Sequence, residues 1–254
     1  MSTRSQSEKR MSFLEHLEEL RWRILKSLGA VILLSIVAYF FSDRLLDLLT
    51  QPVPDDVQLI FTTPTGAFLV SIKVAIIFGL MASLPIIFYQ TWQFVFPGLL
   101  ESEIKVATVL IIATSFCFLL GAAFAFYVIL PLGLRFLFSF QTAQLVPMPD
   151  ISSYIGFAAR LLLAFGLVFE LPLLSFALSK LGIVTPAFLR KQRRYAVVII
   201  FIGAAVLTPP DVITQVMLAA PLILLYEISV WISAAVHRSR VRDRQPAEDT
   251  ATGE

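Results

Sequence analysis

The chain reads as an all-α integral membrane protein with six membrane-crossing helices, and three observations predict that class. Of its 254 residues, 57% are hydrophobic and 15% charged, with mean hydropathy +0.82; soluble domains run nearer 45–50% apolar and about 25% charged. The apolar residues lie in unbroken runs, whereas a barrel strand alternates apolar and polar positions over about 10 residues. Lysine and arginine gather at alternate connections between those runs, the pattern that orients a multi-pass protein.

The first ten residues are polar and lack the short apolar core of a cleavable signal peptide, so the first span reads as permanent. From Ser12 to Arg23 the chain forms an amphipathic helix that runs into that span. Phe13, Leu17, Leu20 and Ile24 recur at helical spacing, while Glu15, Glu18 and Glu19 take other positions. Ser12 with Glu15 three residues on reads as a capping box.

The spans are residues 24–41, 69–96, 106–130, 154–178, 195–207 and 212–236. Lys73 lies in the first turns of the second and snorkels to the interface. The fifth is about 20 Å long as a helix, short of a hydrocarbon core of about 30 Å. It is either a short helix in a thinned bilayer or a re-entrant arm. Thr208-Pro209-Pro210-Asp211 ends it, because adjacent prolines cannot continue a helix. Residues 1–236 therefore form one six-helix membrane domain. Residues 237–254 are charged, lack apolar periodicity and read as a disordered cytoplasmic tail.

Orientation follows from 20 basic residues. Those through Lys26, at Lys105, between residues 179 and 195, and after residue 236 fall on one side. Arg44, Lys73 and Arg135 fall on the other, and Arg160 lies within a span. The positive-inside rule puts both termini in the cytoplasm. Two long outer connections carry structure of their own. Residues 43–49 have helical spacing and stop at Pro52; residues 131–138 read as a bent continuation of the third helix.

Several chemistries are excluded. His16 and His237 lie at opposite ends of the membrane portion, so no histidine metal cluster is encoded, and Cys117 is the single cysteine. There is no Gly-rich phosphate loop. We expect no enzyme activity, no cofactor, no metal and no nucleic-acid partner. The two halves of the chain lack matching interrupted helices, which counts against an inverted-repeat transporter.

The acids are more informative. Glu170 sits in the fourth span, where an Asp at a helix centre costs about 2.5–3.5 kcal/mol on insertion scales. Pro172, two residues on, loosens the backbone and opens a polar notch. Arg160 lies about 15 Å away along the helix and about 80° around it, so the two are no direct pair. Glu227 reads as an interface residue of the sixth span. On the cytoplasmic side, Glu15, Glu18 and Glu19 precede the first span, and Glu101 and Glu103 follow Phe94, Phe96 and Pro97. They read either as solvated helix-start acids or as carboxylates beside aromatics, suited to seize guanidinium groups through charge-assisted bonds. Two such patches on one face suit a dibasic peptide.

At these residues the chain resembles the TatC family, the multispanning component of the twin-arginine protein translocase. The resemblance runs from about Ser12 to Val236. It is carried by His16-Leu17-Glu18-Glu19-Leu20-Arg21, the stretch from Phe94 to Glu103 around Pro97, Ala164 to Pro172 around Glu170, Leu189-Arg190-Lys191, and Leu207-Thr208-Pro209-Pro210-Asp211. It implies a concave, glove-shaped fold of six helices, the fifth and sixth short, in the cytoplasmic (inner) membrane. It implies a receptor that binds twin-arginine signal peptides and carries folded cargo, driven by the proton-motive force. The acids matching the signal-binding positions are Glu19 and Glu103, with Phe94 beside the second. The position matching Glu170 docks single-helix TatA- or TatB-type subunits. Arg21, Pro52 and Asp211 match further functional positions, and several copies are expected to assemble amid membrane lipid. Arg160 matches no family motif. The competing reading is a proton- or ion-coupled secondary transporter using Glu170.

Overall fold

The computed structural model describes residues 13–95, 104–141, 147–208 and 211–249. Among them the chain is helical, relieved by one isolated bridge between Ile60 and Asp150. Helix α1, Phe13–Tyr39, fuses the amphipathic segment and the first span into one rod. The short α2, Ser42–Thr50, follows after a two-residue break and ends before Pro52, which cannot continue it. Leu49 of α2 is buried, and its carbonyl accepts the Tyr154 hydroxyl at 2.6 Å. The outer connections are clasped: Ile60 N–H donates to Pro149 O at 3.1 Å, Ile151 N–H to Ile60 O at 3.0 Å, and Thr62 Oγ1 to Asp150 Oδ1 at 3.0 Å.

Helix α3, Gly66–Val95, carries Pro85 inside it and packs along α1. The approach is close at Gly79, where an added Cβ would stand 2.4 Å from the Ser35 Cα. No side chain fits there, so glycine sets the α1–α3 spacing. Helix α4, Ile104–Phe124, passes through a π-helical turn, Ala125–Ile129, into α5, Leu130–Phe138. Pro131 near the start of α5 has no N–H for the preceding turn, and the π register accommodates that loss.

Residues 154–178 are not one helix. Helix α6, Ile151–Phe169, ends at Glu170 and α7, Leu171–Leu181, begins after it. The cause is local: Pro172 removes a donor, and its ring crowds the carbonyl four residues back. Gly182, at φ 79°, closes α7 in the left-handed conformation, with Ile183 N–H reaching back to Leu178 O at 3.0 Å. Helix α6 packs on α4, again through glycine: a Cβ on Gly121 would lie 2.5 Å from Phe165 O.

Two expectations need correction. The fifth segment is not a 13-residue helix: α8 is Pro186–Leu207, 22 residues. Thr185 caps it by accepting Phe188 N–H at 3.2 Å, and Pro186 fits the first turn. Its first turns carry Arg190, Lys191, Arg193 and Arg194, so the apolar part alone remains short. Nor is the sixth helix short or followed by disorder from residue 237: α9, Val212–Asp249, runs 38 residues. Its arginines and Gln245 are good helix formers and extending a helix is far easier than starting one, so it runs on until Pro246 in its last turn. Five stretches among the described residues are long and apolar enough to cross a membrane: Glu15–Tyr39, Gly66–Phe94, Val109–Phe138, Ile151–Leu181 and Val212–Arg238.

A buried serine seam joins α7 to α9, with Ser175 Oγ donating to Ser229 O at 2.8 Å and Ser179 Oγ to Ser233 Oγ at 2.7 Å. Helix α8 is held on α9 by the Arg193–Glu227 ion pair at 2.6 Å and by Tyr226 donating to Leu189 O at 2.7 Å.

Candidate functional site

The first turns of α1 meet the last turns of α3 in one polar cluster. His16, Glu19 and Arg23 fall on one face of α1 by their three- and four-residue spacing, and Gln90, Gln93 and Phe94 do the same on α3. Arg23 Nε donates to Glu19 Oε1 at 2.9 Å, and its Nη2 donates to the same oxygen. Arg23 Nη1 donates to Gln93 Oε1 at 2.6 Å and to Gln90 Oε1 at 3.3 Å. One guanidinium thus clamps the Glu19 carboxylate and ties α1 to α3.

The second oxygen of Glu19 differs. Oε2 is buried and, among the described residues, has no hydrogen-bond partner. His16 Nδ1 lies 3.8 Å from it, beyond hydrogen-bond range. The His16 ring is stacked on Phe94 with centroids 4.3 Å apart and planes inclined by 11°. Glu19 and Phe94, both singled out in the sequence, therefore share one site. Because Oε1 is taken, Glu19 offers a ligand one free oxygen rather than a two-pronged fork.

Glu103, with Glu101, Phe96 and Pro97, lies outside the described residues. Arg21 is exposed on α1, beside exposed Trp22. Pro52 is half-buried just after α2. Asp211 caps α9: its Oδ1 accepts Thr214 N–H at 2.7 Å, and its Oδ2 accepts the Thr214 hydroxyl. These bonds hold its carboxyl below the ordinary Asp value. Asp150 caps α6 in the same manner through Ser153 N–H at 2.9 Å, with the same downward effect.

Glu170 is far from this cluster in the chain and chemically separate. It occupies the α6–α7 break, is 4% exposed, and neither carboxyl oxygen has a partner of hydrogen-bond geometry among the described residues, the Phe118 backbone lying nearby. A buried carboxyl without partners is costly, so the break holds an unspent acceptor. Glu227, by contrast, is spent on Arg193. Arg160 is exposed on α6.

Sequence reasoning missed His16, Arg23, Gln90 and Gln93 as site members. The i,i+4 spacing of Glu19 and Arg23, and the three- and four-residue spacing from Gln90 to Phe94, were the available signals. No metal-binding group of three or more His, Cys, Asp or Glu exists among the described residues.

Comparison with known proteins agrees with the motifs. A family model described as TatC, Sec-independent protein translocase protein, matches residues 15–221. The Sec-independent protein translocase protein TatC of Desulforapulum autotrophicum is 39% identical over 251 residues, covering 97% of this chain and 93% of that protein. Its counterpart from Carboxydothermus hydrogenoformans is 44% identical over 228 residues, covering 89% and 94%. A crystal structure of the twin arginine translocase receptor TatC superposes with TM-score 0.80 at 36% identity, over 87% of this chain and 99% of that one. The chain belongs to the TatC family of Sec-independent protein translocase proteins.

Proposed function

We propose that this chain is the receptor subunit of a twin-arginine translocase, binding signal peptides with consecutive arginines through Glu19, Phe94 and Glu103. One observation carries the reading: Glu19 presents a buried oxygen without a partner beside an aromatic face, at the end of α1 where basic residues gather. A guanidinium supplies N–H donors for the free carboxylate oxygen and a planar cation able to stack on the ring. Arginine is favoured over lysine because its charge is planar and its donors fixed in direction. The semi-dry headgroup zone strengthens the pairing relative to water.

The topology that serves this function has six crossings in the cytoplasmic membrane, both termini inside, around a concave face. The 13-residue apolar end of α8 makes the fifth crossing, and the α7–α9 seam and Arg193–Glu227 pair support it from one side. Single-helix subunits dock where Glu170 waits with both oxygens unpartnered. Six helices in one chain cannot enclose a pore for folded cargo, so several copies and partners assemble. The chain carries no phosphate-binding loop, and the proton-motive force supplies the energy.

The test is export of a folded, twin-arginine-tagged reporter. Glu19→Ala and Glu103→Ala should each abolish it while leaving the protein in the membrane at normal abundance. Export at wild-type rates in both variants would sink the receptor reading. Glu170-dependent ion flux in vesicles lacking partners would favour the transporter alternative.

A further inference from the structure

We propose that His16 occupies the guanidinium's own place in the unliganded receptor, so that a signal arginine binds by exchanging with it. The inference deepens the receptor reading and rests on it. Three observations lead there. The imidazole is a flat ring lying nearly parallel to Phe94 at 4.3 Å, within the roughly 6 Å at which a cation engages an aromatic face. Its Nδ1 lies 3.8 Å from the one oxygen of Glu19 that has no hydrogen-bond donor among the described residues. At 3.8 Å that contact is too long to satisfy the oxygen, so the ring stands beside Oε2 without bonding to it.

The rest of the cluster holds this arrangement ready. Arg23 grips Oε1 and is itself anchored on Gln90 and Gln93 of α3, so the carboxylate keeps its orientation when the imidazole leaves. An incoming guanidinium then regains what the histidine gives up: the same stacking on Phe94, and in addition an N–H bond to Oε2. An ammonium brings a charge but not the stacked plane. His16 thus raises the threshold for every ligand by the same amount, and Phe94 with Glu19 decides which ligand repays that threshold.

The experiment is equilibrium binding of a fluorescent twin-arginine peptide, and of its twin-lysine counterpart, to the full chain in detergent. In His16→Ala the occupant is gone, so both peptides should bind more tightly, by about 2- to 10-fold for loss of one stacked ring pair. In His16→Phe the ring remains, and affinity should stay at or below that of the wild type. His16→Gln, a helix-forming residue without a ring, should repeat the alanine result if the alanine variant is not monodisperse. Tighter binding in the ringless variant with no gain in His16→Phe is the expected pattern; any other pattern overturns the inference. A Glu19→Gln control separates the two levels. If it binds the twin-arginine peptide like wild type, the receptor reading itself fails; if it loses binding while His16→Ala gains none, only the exchange fails.

Discussion

Replacing Arg23 with methionine keeps a flexible, unbranched, helix-compatible stem and removes every donor. Glu19 then has both oxygens without hydrogen bonds, and the Gln90 and Gln93 carbonyls lose the guanidinium that ties α1 to α3. A hydrogen bond to a charged group contributes about 1.5–3 kcal/mol. The side chains of Arg23 and Glu19 are 14% and 19% exposed, so screening is limited but not absent, and we expect a coupling of about 1–2 kcal/mol. The assay is a double-mutant cycle of Arg23→Met and Glu19→Gln, read by reversible unfolding in mixed detergent micelles. Each single variant should be less stable than wild type, and the double variant should be more stable than the two losses summed. If the two losses add within about 0.5 kcal/mol, the clamp contributes nothing, and the orientation of Glu19 must come from elsewhere.

Two further outcomes are expected. Gly79→Ala should separate α1 from α3, because the new Cβ would stand 2.4 Å from Ser35 Cα; the cost is about 1–3 kcal/mol, as for other overpacked contacts, and paired cysteines across the two helices should crosslink more slowly. Asp211 has its carboxyl held below the ordinary value of 3.8 by the Thr214 bonds, so its contribution is present above that pH and is lost as pH falls through the lower folded value. Asp211→Asn should retain the cap and export while flattening the acid limb of the stability–pH curve, whereas Asp211→Ala should lose the cap.

Much of the fold was legible because lipid demands long apolar runs, and α1, α3, α4 and α9 each contain the run that named them. Boundaries set by polar residues were not legible. The basic first turns of α8 carry no apolar signal, although Thr185-Pro186 marks its start. The arginine-rich end of α9 reads as tail by composition, yet continues a helix already formed. Pro172 announced a loosened backbone, but only the coordinates make Glu170 the residue between two helices. At the site, Glu19 and Phe94 stood out as acid and aromatic. The role of Arg23 was hidden because a basic residue beside a membrane span reads as an orientation signal, while two oxygens of one carboxylate become distinguishable only once their neighbours are placed.

The most direct test of the account is the affinity of the wild-type chain and Glu19→Gln for twin-arginine and twin-lysine peptides in the same detergent. Wild type should bind the arginine peptide at least about tenfold more tightly than the lysine one, equivalent to about 1.4 kcal/mol, and Glu19→Gln should abolish most of that difference. Equal affinity for both peptides in the wild type, or a preference untouched by Glu19→Gln, would contradict it.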